Sequence, residues 1–575
     1  MNLKKVFSLG LTLLVGAILA GSVSAQKYGG TLIIGTLRTS VGFDPAGDGV
    51  QNIGSHAGHD YLIQADVTKG PYGDGTYGFN VTGTPYGAWS PSVAESWEMT
   101  PNKIVYHLRK GIKFRNKAPV NGRELDAHDV LATWNAAIAI PGTLSSGEQD
   151  KYKWTVLDKY TIQVEWKNPT LEYDKIGEIV GASWGIIPKE IEKGTNRSDW
   201  RNTYGSGPFY PTKHVQGSVT EFEKNPDHWA TDPMNPGNSI PYLDKVRLVA
   251  MDEAGMKAGL ATGKIDTTFT QFYLSRSDEK DLMNANPNLV TARGPFRNQM
   301  IAFNITRKPF SDQRVRRAVM LAIPHEEMDE SMYDGTALWP AYPTFAGTAP
   351  FYISLEQMEN ERPDLARMFG YDPEEAKRLL AEAGYPNGFK TNIITRKEHG
   401  TGEASEAVAL YLSKVGIDME LRFYDEATQY SMTITREPDP SYTDMAWSDH
   451  GCINSFYSCL WQLSMDPRGP IPWTGPPEKL ENSQYGQDFM TMYDDFLAED
   501  DPHEHYRKWV ALAMWTIQEV WYAPLMYLTG AHFQQNWVHQ HSGVFWDSSN
   551  NLHMLKYTWL DLDKRKQQSG RGADE

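Results

Sequence analysis

Apolar positions along the chain fall into two recurring periods, one helical and one alternating. Thr31-Leu32-Ile33-Ile34-Gly35 reads as a strand, and Ile104 to Leu108 alternates as a half-buried strand does. A helix is predicted over 127–139. Asp126 caps it, Val130, Leu131, Trp134, Ala137 and Ile138 form one apolar face, and Pro141-Gly142 stops it. A second helix has Ser311 or Asp312 as its cap and Val315, Ala318, Val319, Ala322 and Ile323 on its apolar side. In a third, Asp372 is the N-cap, Pro373 the first helical residue and Glu375 the capping-box partner; Gly384 ends it and Pro386 follows. A helix over 403–415 ends at Gly416, and Ile417 to Phe423 alternates strictly as a strand. Residues 66–90, rich in Gly, Tyr, Pro and Asn, read as a long loop. Helix-then-strand units of this kind predict α/β lobes.

The N-terminus departs from this pattern. Lys4 and Lys5 precede an uncharged apolar run from Val6 to about Leu19, and Val23-Ser24-Ala25 fits a small-x-small cleavage site. Residues 1–25 are therefore read as a signal peptide, with cleavage before Gln26. No Cys stands near that site for lipid attachment, so the mature chain is expected to be soluble and periplasmic. The stretch from Val510 to Leu528 is apolar but interrupted by Gln518, Glu519 and Pro524, and does not reach the roughly 20 residues of a membrane helix. Residues 564–575 are polar and read as a disordered tail.

A length of 575 residues implies two or more domains. A net charge of −17 disfavours nucleic acid as a partner, because phosphates would repel the chain. Cys452 and Cys459 are the two cysteines. In an oxidising compartment their proximity permits a disulfide closing a small loop, worth roughly 2–3 kcal/mol; two free thiols are the alternative. The 18 Trp and 29 Tyr serve cores first, but such side chains also line clefts for small organic ligands.

Several blocks resemble one family in order and spacing: Ala94-Glu95-Ser96-Trp97-Glu98; His107 through Phe114; Asp126-Ala127-His128-Asp129-Val130; Gly205-Ser206-Gly207-Pro208-Phe209; Glu223 through Trp229; Pro241 through Val246; Ala302-Phe303-Asn304 with Pro309-Phe310; Arg314 through Ala318; and Tyr371-Asp372-Pro373 through Pro386. Over roughly residues 29–560 the chain is similar to the extracellular solute-binding proteins of the peptide/nickel class (family 5), the capture components of ABC importers. The resemblance implies an α/β, two-lobe periplasmic binding protein of type II, cluster C, with an extra subdomain in lobe I and a hinge-closed ligand cleft. Mapped onto this chain, lobe I combines 26–60, 204–290 and 525–563, the extra subdomain is 61–203, and lobe II is 291–524. The hinge then falls at crossings near 290 and 525. Ligand contacts made by both lobes exist only in the closed state, so ligand shifts the population towards closure.

The resemblance also implies site residues. Peptide binders of the family place an Asp shortly after a Trp, facing the ligand's α-amino group; Asp444-Met445-Ala446-Trp447-Ser448-Asp449 matches that context and points to Asp449. The next residues, His450-Gly451-Cys452-Ile453-Asn454, depart from the family's acidic, Pro-containing run. Arg396 stands where dipeptide binders hold the ligand's carboxylate, and a planar guanidinium suits that group. Trp447, Tyr457 and Trp461 flank the same loop; each either meets the ligand or packs inside. The Asp44-Pro45 pair matches a family turn.

No catalytic constellation emerges. Gly-x-Ser-x-Gly and His-Glu-x-x-His are absent, and Gly259-Leu260-Ala261-Thr262-Gly263-Lys264 lacks both the spacing and the following Ser or Thr of a phosphate loop. His503-Glu504-His505, His539-Gln540-His541, His56 and His59 lack ligand-spaced companions, so no metal or cofactor is expected. The sequence reading is a monomeric, non-catalytic carrier of a short peptide working with membrane permease subunits. Small oligosaccharides as ligand, a secreted hydrolase, and a receptor feeding a chemosensor are the alternatives.

Overall fold

The structure is a computed structural model. It describes residues 26–36, 39–40, 42–46, 53–70, 89–100, 102–140, 152–166, 184–268, 274, 276–339, 353–397, 400–424, 428–429, 444–448, 480, 482–499, 501–539 and 551–575. The expected signal peptide, Cys452, Cys459 and most of the 66–90 loop lie outside these residues.

Ten strands form one large sheet: β1 (Thr31–Thr36), β2 (Phe209–Val215), β3 (Val219–Lys224), β4 (Lys245–Ala250), β5 (Thr267–Thr268), β6 (Leu289–Phe303), β7 (Phe389–Thr395), β8 (Ile417–Phe423), β9 (Met445–Ser448) and β10 (Tyr522–Gln535). Their order is β8-β7-β9-β6-β10-β5-β1-β4-β3-β2. The two long central strands, β6 and β10, run antiparallel from Leu289↔Gln535 to Ala302↔Tyr522. They join two halves, each with its own core. On the β7–β9 side, Ile301, Phe303, Val315, Val319, Ile393, Val408, Trp447 and Trp509 share one large buried cluster. On the β1 side, Leu32, Ile34, Phe222, Val246, Trp537 and Leu560 pack on one face of the sheet, and Ile33, Met256, Leu260, Ile265 and Phe533 on the other.

The helices are α1 (Ala127–Ile138), which lies on a second sheet, and α2 (Glu253–Ala261), α3 (Gln313–Leu321), α4 (Pro373–Glu382), α5 (Thr401–Ser413) and α6 (Leu562–Ser569), which pack around the large one. The caps read from sequence are in place. Asp126 accepts from His128 N and closes a capping box with Asp129; Asp312 and Asp372 cap α3 and α4. The phosphate-loop look-alike is the end of α2, turned by Gly263 at φ +69°. At Gly388, with φ +72°, the backbone lies so close to Gly416 that any β-carbon would overlap the Gly416 carbonyl. That contact sets the entries of β7 and β8 side by side.

A separate four-stranded sheet, in the order Ala94–Thr100, Lys103–Leu108, Thr161–Trp166, Tyr152–Asp158, packs its inner face on α1.

The disordered tail expected from residue 564 is a correction. α6 occupies Leu562–Ser569, and the chain then turns back along the start of β1. Arg565 is fully buried and donates to Thr31 O; Ala573 O accepts from Thr31 N at 2.9 Å. Arg571 forks onto buried Asp266 at 2.9 and 3.1 Å, and the same carboxylate accepts from Ile33 N and Trp537 Nε1. A polar tail orders here because Arg565 and Arg571 both meet the buried Asp266 carboxylate.

Candidate functional site

Strand direction locates the cleft. β1 runs parallel to β4 and β5, and β5 is antiparallel to β10 with Thr267 opposite Gln534. The carboxyl ends of β1 and β5 therefore point towards the middle of the crossing pair. On the other side, β9 is antiparallel to β6 with Ser448 opposite Met300, and β7 is parallel to β9. The carboxyl ends of β7 and β9 thus point back at the same middle. In α/β sheets ligands sit beyond the carboxyl ends of strands. Here two such edges oppose one another across a stretch of β6 and β10 running from Val290 to Met300, about 30 Å of strand at ~3.3 Å per residue.

The edges carry unspent hydrogen-bonding capacity. Thr268 Oγ1 at the end of β5, Ser448 Oγ at the end of β9 and Thr401 Oγ1 at the start of α5 are buried, with no hydrogen-bond partner among the described residues. Gln299, within the crossing stretch of β6, accepts from Tyr333 Oη at 3.0 Å, and its Nε2 is likewise unpartnered. Buried polar atoms are rarely left so, since each costs about 1–3 kcal/mol. Two of them at opposed strand ends, one at a helix start and one on the crossing strand mark where a polar ligand gains most.

Arg396 directly follows β7. Counting two residues on from the paired Ile394 and Ala446 puts it level with Ser448. It is 3 % exposed, not a solvated surface side chain. Four residues later Gly400 adopts φ +73° as the N-cap of α5 and supplies no capping side chain, so the helix's first N–H groups keep their positive field. A cation and an uncapped helix start beside two hydroxyls suit a carboxylate.

Trp447 is 1 % exposed, and its ring belongs to the core cluster of its lobe; its carbonyl accepts from Gln429 Nε2 at 2.8 Å. Of the two readings of Trp447, burial supports packing inside. Asp449, Tyr457 and Trp461 lie outside the described residues, although Asp449 directly follows Ser448 in sequence.

A second buried polar group was missed in the sequence. Fully buried Asp60 accepts from Trp229 Nε1 at 2.8 Å and from His553 Nε2 at 2.9 Å, with His228 Nε2 at 3.4 Å. Burial opposes ionisation of Asp60, but His228 and His553 outweigh it and hold the carboxyl well below the usual range. Burial pushes His553 down to about 3 and the adjacent Lys556 ammonium down to about 8. This knot ties residues 60, 228, 229 and 553 together. Its role is to hold the lobe, and no spacing signal in the sequence could have found it.

Comparison with known proteins places these observations in context. The family model for bacterial extracellular solute-binding proteins, family 5 middle, matches residues 88–459. The glutathione-binding protein of Escherichia coli K12 is 27 % identical over 456 residues, 76 % of this chain and 81 % of that protein. The periplasmic binding protein DppA of Helicobacter pylori, solved with the peptide STSA, superposes with a TM-score of 0.70 at 21 % identity, covering 93 % of this chain and 99 % of that one. A binding protein of Agrobacterium tumefaciens R10, solved with agropinic acid, gives 0.68 at 20 % identity, with 92 % and 99 % covered.

Proposed function

Since this chain belongs to the bacterial extracellular solute-binding proteins of family 5, we propose that it captures a short peptide between its lobes and delivers it to an ABC importer. One observation carries the cleft: two sets of strand carboxyl ends face each other across β6 and β10, each bearing a buried hydroxyl with no partner among the described residues. The similar protein of E. coli is named for glutathione, itself a short peptide, which favours peptide over sugar.

In this proposal β6 and β10 are the hinge, since they are the two crossings near residues 290 and 525. Lobe I comprises 26–60, 204–290 and the chain after 525, with 61–203 as its extra subdomain; 291–524 is lobe II. Arg396 and the start of α5 hold the peptide's carboxylate. Asp449 faces its α-amino group, and Tyr457 and Trp461 supply apolar contact. The mature protein acts as a monomer after export and signal-peptide removal, with Cys452 and Cys459 bridged. It performs no chemistry on its ligand.

Native mass spectrometry of ligand retained through purification, followed by thermal melting with that ligand, tests the proposal. Bound ligand raises the melting temperature by mass action and is recovered intact. Asp449→Ala weakens peptide binding by about 2–5 kcal/mol, as truncating one side of a buried charge pair does. Recovery of an oligosaccharide, or consumption of ligand by pure protein, would overturn the peptide-carrier reading.

A further inference from the structure

The chain carries −17 overall, yet Lys103 to Arg123 holds seven cations and no carboxylate. Arg123 is neutralised by Asp129 and Glu190. Arg109, Lys110, Lys113, Arg115 and Lys117 form no ion pair with any described residue. The nearby carboxylates are already engaged: Glu124 by Lys159, Tyr160 Oη and Gly111 N, and Asp199 by Arg201. Ile112 and Phe114 are buried, so alternation along this extended run turns Lys113 and Arg115 outward.

The cations interleave with aromatic rings. Arg109 lies over Trp229, Lys110 over Tyr160, Arg115 over Tyr210 and Lys117 over Tyr204, at 5.4, 5.4, 4.4 and 4.8 Å from the ring centroids. Arg201, whose carbonyl accepts from Lys117, lies over Trp200 at 4.8 Å. A ring beneath a cation orients it without cancelling its charge. All these rings but the buried Tyr204 are half-buried, and Trp and Tyr interleaved with Lys and Arg are the composition of a membrane–water interface.

We propose that this cationic segment, Arg109 to Lys117, docks on anionic phospholipid headgroups, holding the protein at the membrane surface. The net negative charge does not forbid this. At physiological salt, fields decay within about 8 Å, so a lipid surface meets the local patch and not the whole molecule. The proposal is independent of which solute the cleft takes.

Co-sedimentation with vesicles tests it. Vesicles of phosphatidylcholine with about 30 % phosphatidylglycerol should bind the protein at about 50 mM salt and release it at about 0.5 M, while phosphatidylcholine alone should not bind. Lys110→Gln with Lys113→Gln should weaken partition by about fivefold for each cation removed, and Lys110→Arg with Lys113→Arg should restore it. Both variants should keep the parental melting temperature, since both side chains are exposed. Absence of binding to the anionic vesicles, equal binding to neutral ones, or unchanged binding by the double Gln variant would overturn the proposal.

Discussion

Acidification should weaken the fold through two buried histidines, and the size of the effect follows from their surroundings. His532 on β10 places its Nε2 3.1 Å from Thr267 Oγ1, which spends its own proton on Phe533 O. Nε2 is therefore the donor, and burial pushes the imidazole down to about 4. His553, inside the Asp60 knot, is pushed down to about 3. Both stay neutral in the folded protein near pH 5, whereas in the unfolded chain, at the ordinary value of 6.5, each is about 97 % protonated. The unfolded state then binds more protons, so stability is fully present above pH 6.5 and falls below it. Between about pH 7.5 and 5 the loss is roughly 2 kcal/mol for each histidine, or about 4 kcal/mol together. His59 and His325, also lowered by burial, act in the same direction, while Glu519 and Asp329, raised by burial, oppose them at the acid end. Asp60 enters only as pH falls below the usual carboxylate range, and Lys556 only above about pH 8. Urea unfolding at both pH values reads the effect. His532→Gln keeps a donor for Thr267 and removes the titration, so the gap between the two pH values should shrink by about 2 kcal/mol. An unchanged gap in that variant would refute the assignment of His532 as a buried neutral base.

Two further outcomes concern the frame around the cleft. Asp266→Asn leaves Arg565 and Arg571 without their carboxylate and should cost about 3–5 kcal/mol, read as a lowered urea midpoint, with faster amide exchange at Ile33. Gly388→Ala drives a β-carbon into the Gly416 carbonyl at a positive φ; it should destabilise by more than about 1 kcal/mol in thermal melts, whereas Gly335→Ala, which meets open space, should cost less.

What the sequence made legible was local. Asp126, Asp312 and Asp372 announce their helices because a cap acts within three residues, and Ile417 to Phe423 announces a strand because alternation needs no partner. The family blocks added the two-lobe plan. The crossing strands were harder to see. β10 is buried along nearly all its length, so it shows no alternation, and Pro524 within it argues against a strand. The Asp60 knot and the Asp266 clasp were invisible because charged residues default to the surface, and their partners lie hundreds of positions away: Asp60 and His553 are 493 apart, Thr31 and Arg565 are 534 apart. Arg396 was placed at the right strand end, but nothing local distinguishes a buried guanidinium from a solvated one.

The clasp at the start of β1 also bears on how the protein is made. β1 leaves the ribosome well before its sheet neighbours β4 and β5, and its opening residue is secured by Arg565, 534 positions later, and by Ala573. Until those later residues are made, Thr31 lacks the partners that fix it. Contacts so distant in sequence form slowly. The sheet around β1 therefore stays open at its opening residue until after the rest of that sheet has been made.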